Sequence, residues 1–385
     1  MPIGEPSRFT NSDSEMGLWQ LGGITNSKSD SETFFPGLDA DDRMTKVRKA
    51  ISNMRLGWDR YPQFRNELKD FVARQREPEI VPGREGEWKE VPGLVDTLLS
   101  SRKEWPERGD GQGDIGYSAV RLYTSEYGYQ KIFEPMNTSF RKRDLAAEEL
   151  RAITFLIELL NIDLYRHIHA TPEANNFTGH TYRGLRVTSK ALDKIRETAA
   201  EKNLKNRYVA IPLSMMSASS TRQSALKFAE RTARNNDPHA VLWDITVYGM
   251  DPAYLAAYRQ AFPDSIVTSL CAIPISDLSY YRDVENEVLL RGPFFQIVRM
   301  YEDSLNDEPL HVIQAVMLNS NRDHVTAIAN NEGADKRMRE IFRDMAIASR
   351  SAQCAEHAER SGLRADADYY RNDAAQARKG FSDLM

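Results

Sequence analysis

An α+β fold is predicted by the order in which two periodicities occur along the chain. Helical spacing of apolar residues dominates before Pro172, and short β-rich runs dominate from Thr181 to Met317. An alanine-rich helical period then closes the chain. With 385 residues, more than one structural region is expected, and 41% hydrophobic residues supply a sizeable core. A charged content of 28% fits a mainly ordered chain.

Residues 1–40 are polar, with Ser7, Ser12, Ser14, Ser27, Ser29 and Ser31 among Thr10, Thr25 and Thr33. They are expected to be a disordered leader, with an export leader of the kind bacterial effectors carry as the sharper alternative. Residues 41–114 read as a helical N-terminal region. Val47, Ile51 and Met54 fall four and three apart, and Leu56, Phe64, Leu68, Phe71 and Val72 extend that face. Pro62 is expected to divide the stretch into two helices. Pro78, Pro82, Pro92 and Pro106 then punctuate the chain, and 108–114 (Arg-Gly-Asp-Gly-Gln-Gly-Asp) reads as a linker. Its glycines imitate a phosphate loop, but no Gly-Lys-Ser/Thr follows, no apolar strand precedes, and the aspartates lack calcium-loop spacing.

From residue 115 a tyrosine-rich amphipathic stretch runs through Tyr117, Val120, Leu122, Tyr123, Tyr127, Ile132 and Phe133. A strong helix follows from Asp144 to Leu160. Strands are expected at Thr181–Val187, Arg207–Leu213, Ala240–Val247, Ser265–Leu270, Glu287–Leu290, Phe294–Val298 and Val312–Met317, with a helix over Ser224–Ala233. The tail, 331–385, places Met338, Ile341, Met345, Ala348, Cys354, Ala358, Leu363, Ala367 and Tyr370 on one helical face. Ser361-Gly362 is expected to break it into two helices.

Several function classes fall away. A formal net charge of -5 argues against a broadly basic nucleic-acid binder. Two cysteines, Cys271 and Cys354, make neither a disulfide framework nor a Cys-x-x-Cys zinc site. The first residues lack a basic and apolar signal-peptide pattern, and no run of apolar residues is long enough to span a bilayer. A cytoplasmic location, or delivery into another cell without a conventional signal, is therefore expected. His167-x-His169 and His180 have no acidic or cysteine partner at metal spacing, so no metal is expected. Asp323-His324 has no nucleophile signature beside it.

Three segments carry the chemistry: Tyr182-Arg183-Gly184, Ser217-Ala218-Ser219 and Glu285-Asn286-Glu287. Each alone is a weak signal. Together, in this order, they resemble the NAD-dependent mono-ADP-ribosyltransferases, in the branch with an Arg, Ser and Glu signature. The Ser-x-Ser run is followed at that family's spacing by Ala225 and Phe228. Tyr280-Tyr281, then Glu285-Asn286-Glu287-Val288-Leu289, resembles its Glu-x-Glu strand and preceding loop. Tyr123-Thr124-Ser125, with Tyr129 and Asn137, resembles the helix before this core. The resemblance covers residues 115–318, which it marks as a catalytic domain with an ADP-ribosyltransferase-like split β-sheet. Ala218 departs from the commoner Thr, and the Asp251–Ser265 segment is longer than the pattern leads one to expect and could shape a target surface.

The resemblance implies NAD as cosubstrate and assigns roles. Glu287 would stabilise the positive charge that develops on the ribose as nicotinamide leaves, the electrostatic problem also met in glycoside hydrolysis. Arg183 would bind the NAD phosphates through its guanidinium fork. Gly184 would let main chain approach the nicotinamide amide. Ser217 would orient Glu287, Ser219 would support the strand corner, and Phe228 would help bind NAD. Glu285 would receive a proton from the acceptor, and a Glu at that position implies arginine of a target protein as acceptor. Tyr280 and Tyr281 would contact that target. NAD hydrolysis, with water as acceptor, is the alternative within the same chemistry. A non-catalytic binding module with its function in the terminal helices is the alternative outside it, and a partner on the C-terminal helices is conceivable in either case. A nucleic-acid acceptor is disfavoured by the acidic balance.

Overall fold

The structure is a computed structural model that describes residues 61–100, 118–140, 146–171, 177–210, 215–231, 237–263, 266–268, 271–281, 286–291, 294–323 and 332–385. The leader expected at 1–40, the linker at 108–114, His324 and Glu285 lie outside them. Contacts group the chain into two compact units. One takes in the helices before residue 172 and the segment Ile275–Glu287, and the other the remaining strands and the C-terminal helices.

In the helical unit, α1 (Tyr61–Ala73) carries Pro62 in its first turn, where the missing N–H is no loss. Phe64, Leu68, Phe71 and Val72 are buried, and Phe64 meets Phe155 of the long α6 (Ala147–Ala170) at 6.1 Å between ring centroids. Arg151 of α6 grips Glu67 of α1 with Nε and Nη2 at 2.7–3.0 Å. The proline-punctuated region departs from expectation, because α2 (Glu87–Ser100) forms around Pro92. Val91, Val95 and Leu98, spaced four and three, bury one face. That burial outweighs the backbone hydrogen bond that Pro92 removes.

The tyrosine-rich stretch is not one helix. It runs as α3 (Ser118–Thr124), a short α4 (Glu126–Gly128), a π-helical turn (Tyr129–Phe133) and α5 (Glu134–Phe140). Two buried carboxylates from elsewhere in the unit hold the first two helix starts of this stretch. Asp163 Oδ2 accepts from Ala119 N and Val120 N at 2.8 and 3.2 Å. Glu87 Oε2 accepts from Glu126 N and Tyr127 N at 2.7 and 3.2 Å. Each carboxylate satisfies the orphan amides of a helix start and sits where the helix dipole favours negative charge. Burial pushes the Glu87 carboxyl above its ordinary pKa, and the two amide bonds offset part of that rise.

The second unit is built on an eight-stranded sheet. Its strands are β1 (Gly179–Val187), β2 (Tyr208–Ala210), β3 (Met215–Ser219), β4 (His239–Tyr248), β6 (Ala272–Pro274), β7 (Glu287–Arg291), β8 (Phe294–Leu305) and β9 (Glu308–Leu318). Their order is β2-β8-β9-β4-β1-β3-β7-β6, and β5 (Ile266–Thr268) pairs with β10 (Asn321–Asp323) in a separate two-stranded sheet. The β4–β9 pair is parallel, while β1 runs antiparallel to both β4 and β3. Helix α7 (Ser189–Ala199) follows β1, and α8 (Arg222–Ala229) follows β3. Buried Asn319 ties strand ends together: its Oδ1 accepts from Cys271 N and Ala272 N, and its Nδ2 donates to Phe177 O and Ala272 O, at 2.9–3.2 Å.

The Asp251–Ser265 segment contains α9 (Pro252–Ala261), whose N-cap Asp251 accepts from Ala253 N at 2.9 Å. Its Tyr258 is fully buried among Met338, Ile341, Phe342 and Met345 of α10 (Glu332–Arg360). Helix α10 turns at Gly362, with φ +73°, into α11 (Arg364–Leu384). The apolar face of this hairpin is covered within the chain: Cys354, Ala355, Ala358, Ala367 and Tyr370 pack on Leu204, Tyr248, Val298 and Val316. No helix among the described residues is long and apolar enough to cross a membrane.

Candidate functional site

Three consecutive strands of the sheet carry described residues of the three sequence motifs. β1 carries Arg183 and Gly184, β3 carries Ser217 and Ser219, β7 starts at Glu287, and these are consecutive strands of the sheet. About a hundred residues separate Arg183 from Glu287 in the sequence, so this neighbourhood is made by the fold.

Successive residues of β1 face opposite sides. Arg183 pairs across the sheet with Trp243, and Gly184 with Leu242. On the Leu242 side, α8 lies directly on the strand. A Cβ at position 184 would stand 1.9 Å from the Ala225 carbonyl oxygen and 3.1 Å from Ala229 N. Glycine is therefore required at 184 by helix packing, and Ala225 is the small residue at the other side of that contact. The spacing from Ser217 to Ala225 thus has a steric reason: it sets the helix turn that crosses Gly184. Ala225, Leu226 and Ala229 join Ala240, Leu242, Leu310 and Val312 in one core cluster beneath it.

Arg183 is buried, with 3% of its surface exposed, and its Nη1 donates to the Ser217 carbonyl at 2.5 Å. The β1 and β3 motifs are thereby joined through a charge-assisted hydrogen bond. Ser217 itself is half-buried. Ser219 is buried at the corner between β3 and α8, where its Oγ accepts from Thr221 N at 3.0 Å and lies 3.1 Å from Thr221 Oγ1. The hydroxyl of Thr221, the N-cap of α8, donates to Ser224 Oγ at 2.8 Å. Phe228 is half-buried on α8.

Glu287 is 1% exposed. Its Oε2 accepts from Ser279 Oγ at 3.2 Å, and its carbonyl accepts from Ile275 N at 2.9 Å. Asn286, just before it, is exposed with φ +45°, a left-handed conformation that Asn tolerates better than most residues. Tyr280 and Tyr281 are both half-buried and pack edge to face at 5.2 Å. The Tyr280 hydroxyl donates to Glu90 Oε2 at 3.1 Å, and burial together with this carboxylate raises its pKa to about 12. The Arg84 guanidinium stands 4.4 Å over the Tyr281 ring, a cation–π contact. Both tyrosines are thus held by the helical unit. Sequence reasoning gave Ser279, Glu90 and Arg84 no part here, and named Thr124 only within the helix before the core, whereas Tyr280 N donates to Thr124 Oγ1 at 2.8 Å. A lone Ser or Glu carries no local signal of such a contact.

His167 is buried and lies 3.7 Å from Asp277. Among the described residues no group of three or more His, Cys, Asp or Glu side chains is placed to hold a metal ion. Cys271 and Cys354 are buried, and neither is in a disulfide.

No family model matches the sequence, and no curated protein matches it. Solved structures do. Similar ones include the Vis toxin, an ADP-ribosyltransferase from Vibrio splendidus, at 16% identity over 68% of this chain and 93% of the other, with a TM-score of 0.34. Plx2a, an ADP-ribosyltransferase toxin from Paenibacillus larvae, is 15% identical over 61% and 94%, with a TM-score of 0.33. The type III effector XopAI from Xanthomonas axonopodis pv. citri is 14% identical over 72% and 92%, with a TM-score of 0.37.

Proposed function

We propose that this chain cleaves NAD and transfers its ADP-ribose to an arginine side chain of a target protein, releasing nicotinamide. The observation that carries the reading is the adjacency of β1, β3 and β7, which gathers Arg183, Ser217, Ser219 and Glu287 on neighbouring strands. The residues suit the cosubstrate. A buried guanidinium fixed by a main-chain carbonyl offers a preorganised phosphate ligand, and a buried carboxylate at a strand start offers a counter-charge for the ribose.

In the proposed reaction Arg183 holds the NAD phosphates and Glu287 stabilises positive charge on the ribose. The ribose–nicotinamide bond breaks with its electron pair leaving on nicotinamide. A guanidinium nitrogen of the target then bonds to the ribose carbon, and Glu285 accepts the proton it loses. Arginine needs that help, because a guanidinium stays protonated and is a poor nucleophile. Tyr280 and Tyr281 would present the target. The proposed location is a cytosol, the chain's own or that of a cell it is delivered into, in keeping with two cysteines that form no disulfide.

Incubation of a cell lysate with labelled NAD and the chain tests the reading. Label attached to arginine of a discrete protein, with stoichiometric nicotinamide, is the expected result. Free ADP-ribose as the sole product would make the chain an NAD glycohydrolase, and absence of any NAD turnover would remove the catalytic reading.

A further inference from the structure

The turn Ile275–Ser279 clasps Glu287 through main chain and side chain. Ile275 N donates to the Glu287 carbonyl at 2.9 Å, and Ser276 Oγ reaches the same oxygen at 3.5 Å. Ser279 N closes the turn on the Ile275 carbonyl at 2.8 Å. Ser279 Oγ then stands 3.2 Å from Glu287 Oε2 and 3.2 Å from Tyr281 N. With Glu287 ionised, as its proposed role requires, the direction of these bonds is forced. A backbone N–H only donates, an ionised carboxylate only accepts, and a serine hydroxyl has one proton to give. Tyr281 N–H therefore occupies an Oγ lone pair, and the Ser279 proton points at the carboxylate.

Both Ser279 and Glu287 are 1% exposed, so bulk water does not compete for this bond. The far side of the turn is anchored too. Tyr280 N donates to Thr124 Oγ1 at 2.8 Å, and Thr124 is itself buried, with its hydroxyl directed to the Val120 carbonyl at 3.0 Å. The serine is thus held by main chain on both sides and has one orientation to offer.

We infer that Ser279 is a positioning residue for Glu287, fixing the carboxylate in the rotamer that meets the ribose of NAD. The inference rests on the proposed cleavage of NAD. It assigns Ser279 a task separate from Ser217 and Ser219, because it reaches Glu287 from the loop that precedes β7.

The test measures nicotinamide release against NAD concentration for the full chain and for Ser279→Ala, Ser279→Thr and Ser279→Cys. A hydrogen bond to a charged group predicts that Ser279→Ala lowers kcat roughly ten- to a hundred-fold while the NAD KM stays within about twofold. Ser279→Thr, which keeps the hydroxyl, should recover most of that loss. Ser279→Cys, nearly the same size but a weak donor, should behave as Ser279→Ala with an unchanged melting temperature, and it serves where the alanine variant does not fold. Wild-type kcat in Ser279→Cys, or a raised KM with unchanged kcat, would overturn the positioning role while leaving NAD cleavage intact. A wild-type chain that releases no nicotinamide would overturn the NAD reading, and the role of Ser279 with it.

Discussion

Gly184 and Ala225 touch so closely that a single methyl group on residue 184 would overlap the Ala225 carbonyl oxygen, at 1.9 Å. This contact locks the Tyr-Arg-Gly strand to the helix that follows the Ser-x-Ser strand. Backbone on one side and a strand on the other leave little room to relax. Gly184→Ala should therefore destabilise the chain by about 3 kcal/mol or more, at the upper end of overpacking costs. Urea unfolding followed by circular dichroism would read this as a lowered midpoint. A wild-type midpoint would show that α8 can shift at no cost.

Arg183 makes the second link between the same two motifs, through the Ser217 carbonyl. Arg183→Lys keeps the charge but loses the planar fork that can serve a carbonyl and a phosphate together. The apparent KM for NAD should rise at least about tenfold, since charge-assisted bonds of this kind contribute roughly 1.5–3 kcal/mol. An unchanged KM would make Arg183 a structural strand residue.

Cys354 is fully buried, and burial pushes its thiol pKa up to about 12. The thiolate is the reactive form, so this cysteine should be inert to thiol reagents at pH 8 in the folded chain and react fully once urea unfolds it. Mass spectrometry of alkylated peptides distinguishes Cys354 from Cys271. Rapid labelling of native Cys354 would mean that the α10–α11 hairpin opens readily.

The sequence made part of this architecture legible and hid the rest for identifiable reasons. Strands β1, β4, β7 and β9 were visible because β-branched and aromatic residues cluster between turn signals. Helix α2 was hidden by Pro92, although Val91, Val95 and Leu98 keep helical spacing. The break in the tyrosine-rich stretch could not be read locally, since the carboxylate that holds the helix start after it, Glu87, is far away in sequence. The parallel β4–β9 pairing, which sets the sheet order, likewise depends on partners with no shared local pattern. Arg183, Ser217 and Glu287 were singled out by the resemblance of their three segments, in order, to one family. The support that Ser279 gives Glu287 was not legible, because one hydroxyl looks like any other until the fold shows what it faces.

Asp163 gives a prediction free of the functional reading. It is fully buried and caps α3 through two amides. Asp163→Ala leaves both amides without that acceptor and should cost about 2–3 kcal/mol of stability. Thermal unfolding would register the loss. An unchanged transition would mean that water replaces the carboxylate.

Glu285 tests the acceptor. Expelling neutral nicotinamide needs no second carboxylate, whereas a guanidinium must lose a proton to bond to the ribose. Glu285→Gln should lose most transfer to an arginine analogue and keep substantial NAD hydrolysis. Parallel loss of both activities, or loss of neither, would contradict arginine as the acceptor.

The proposed cleavage of NAD at the β1-β3-β7 neighbourhood stands or falls with Glu287. The most direct measurement is nicotinamide release by wild type and Glu287→Gln, both shown to be folded by circular dichroism. Release by the wild type is expected, with a loss of about a hundred- to a thousand-fold in the variant, the scale of one transition-state contact, and protein labelling lost in step. Wild-type release by Glu287→Gln would contradict it.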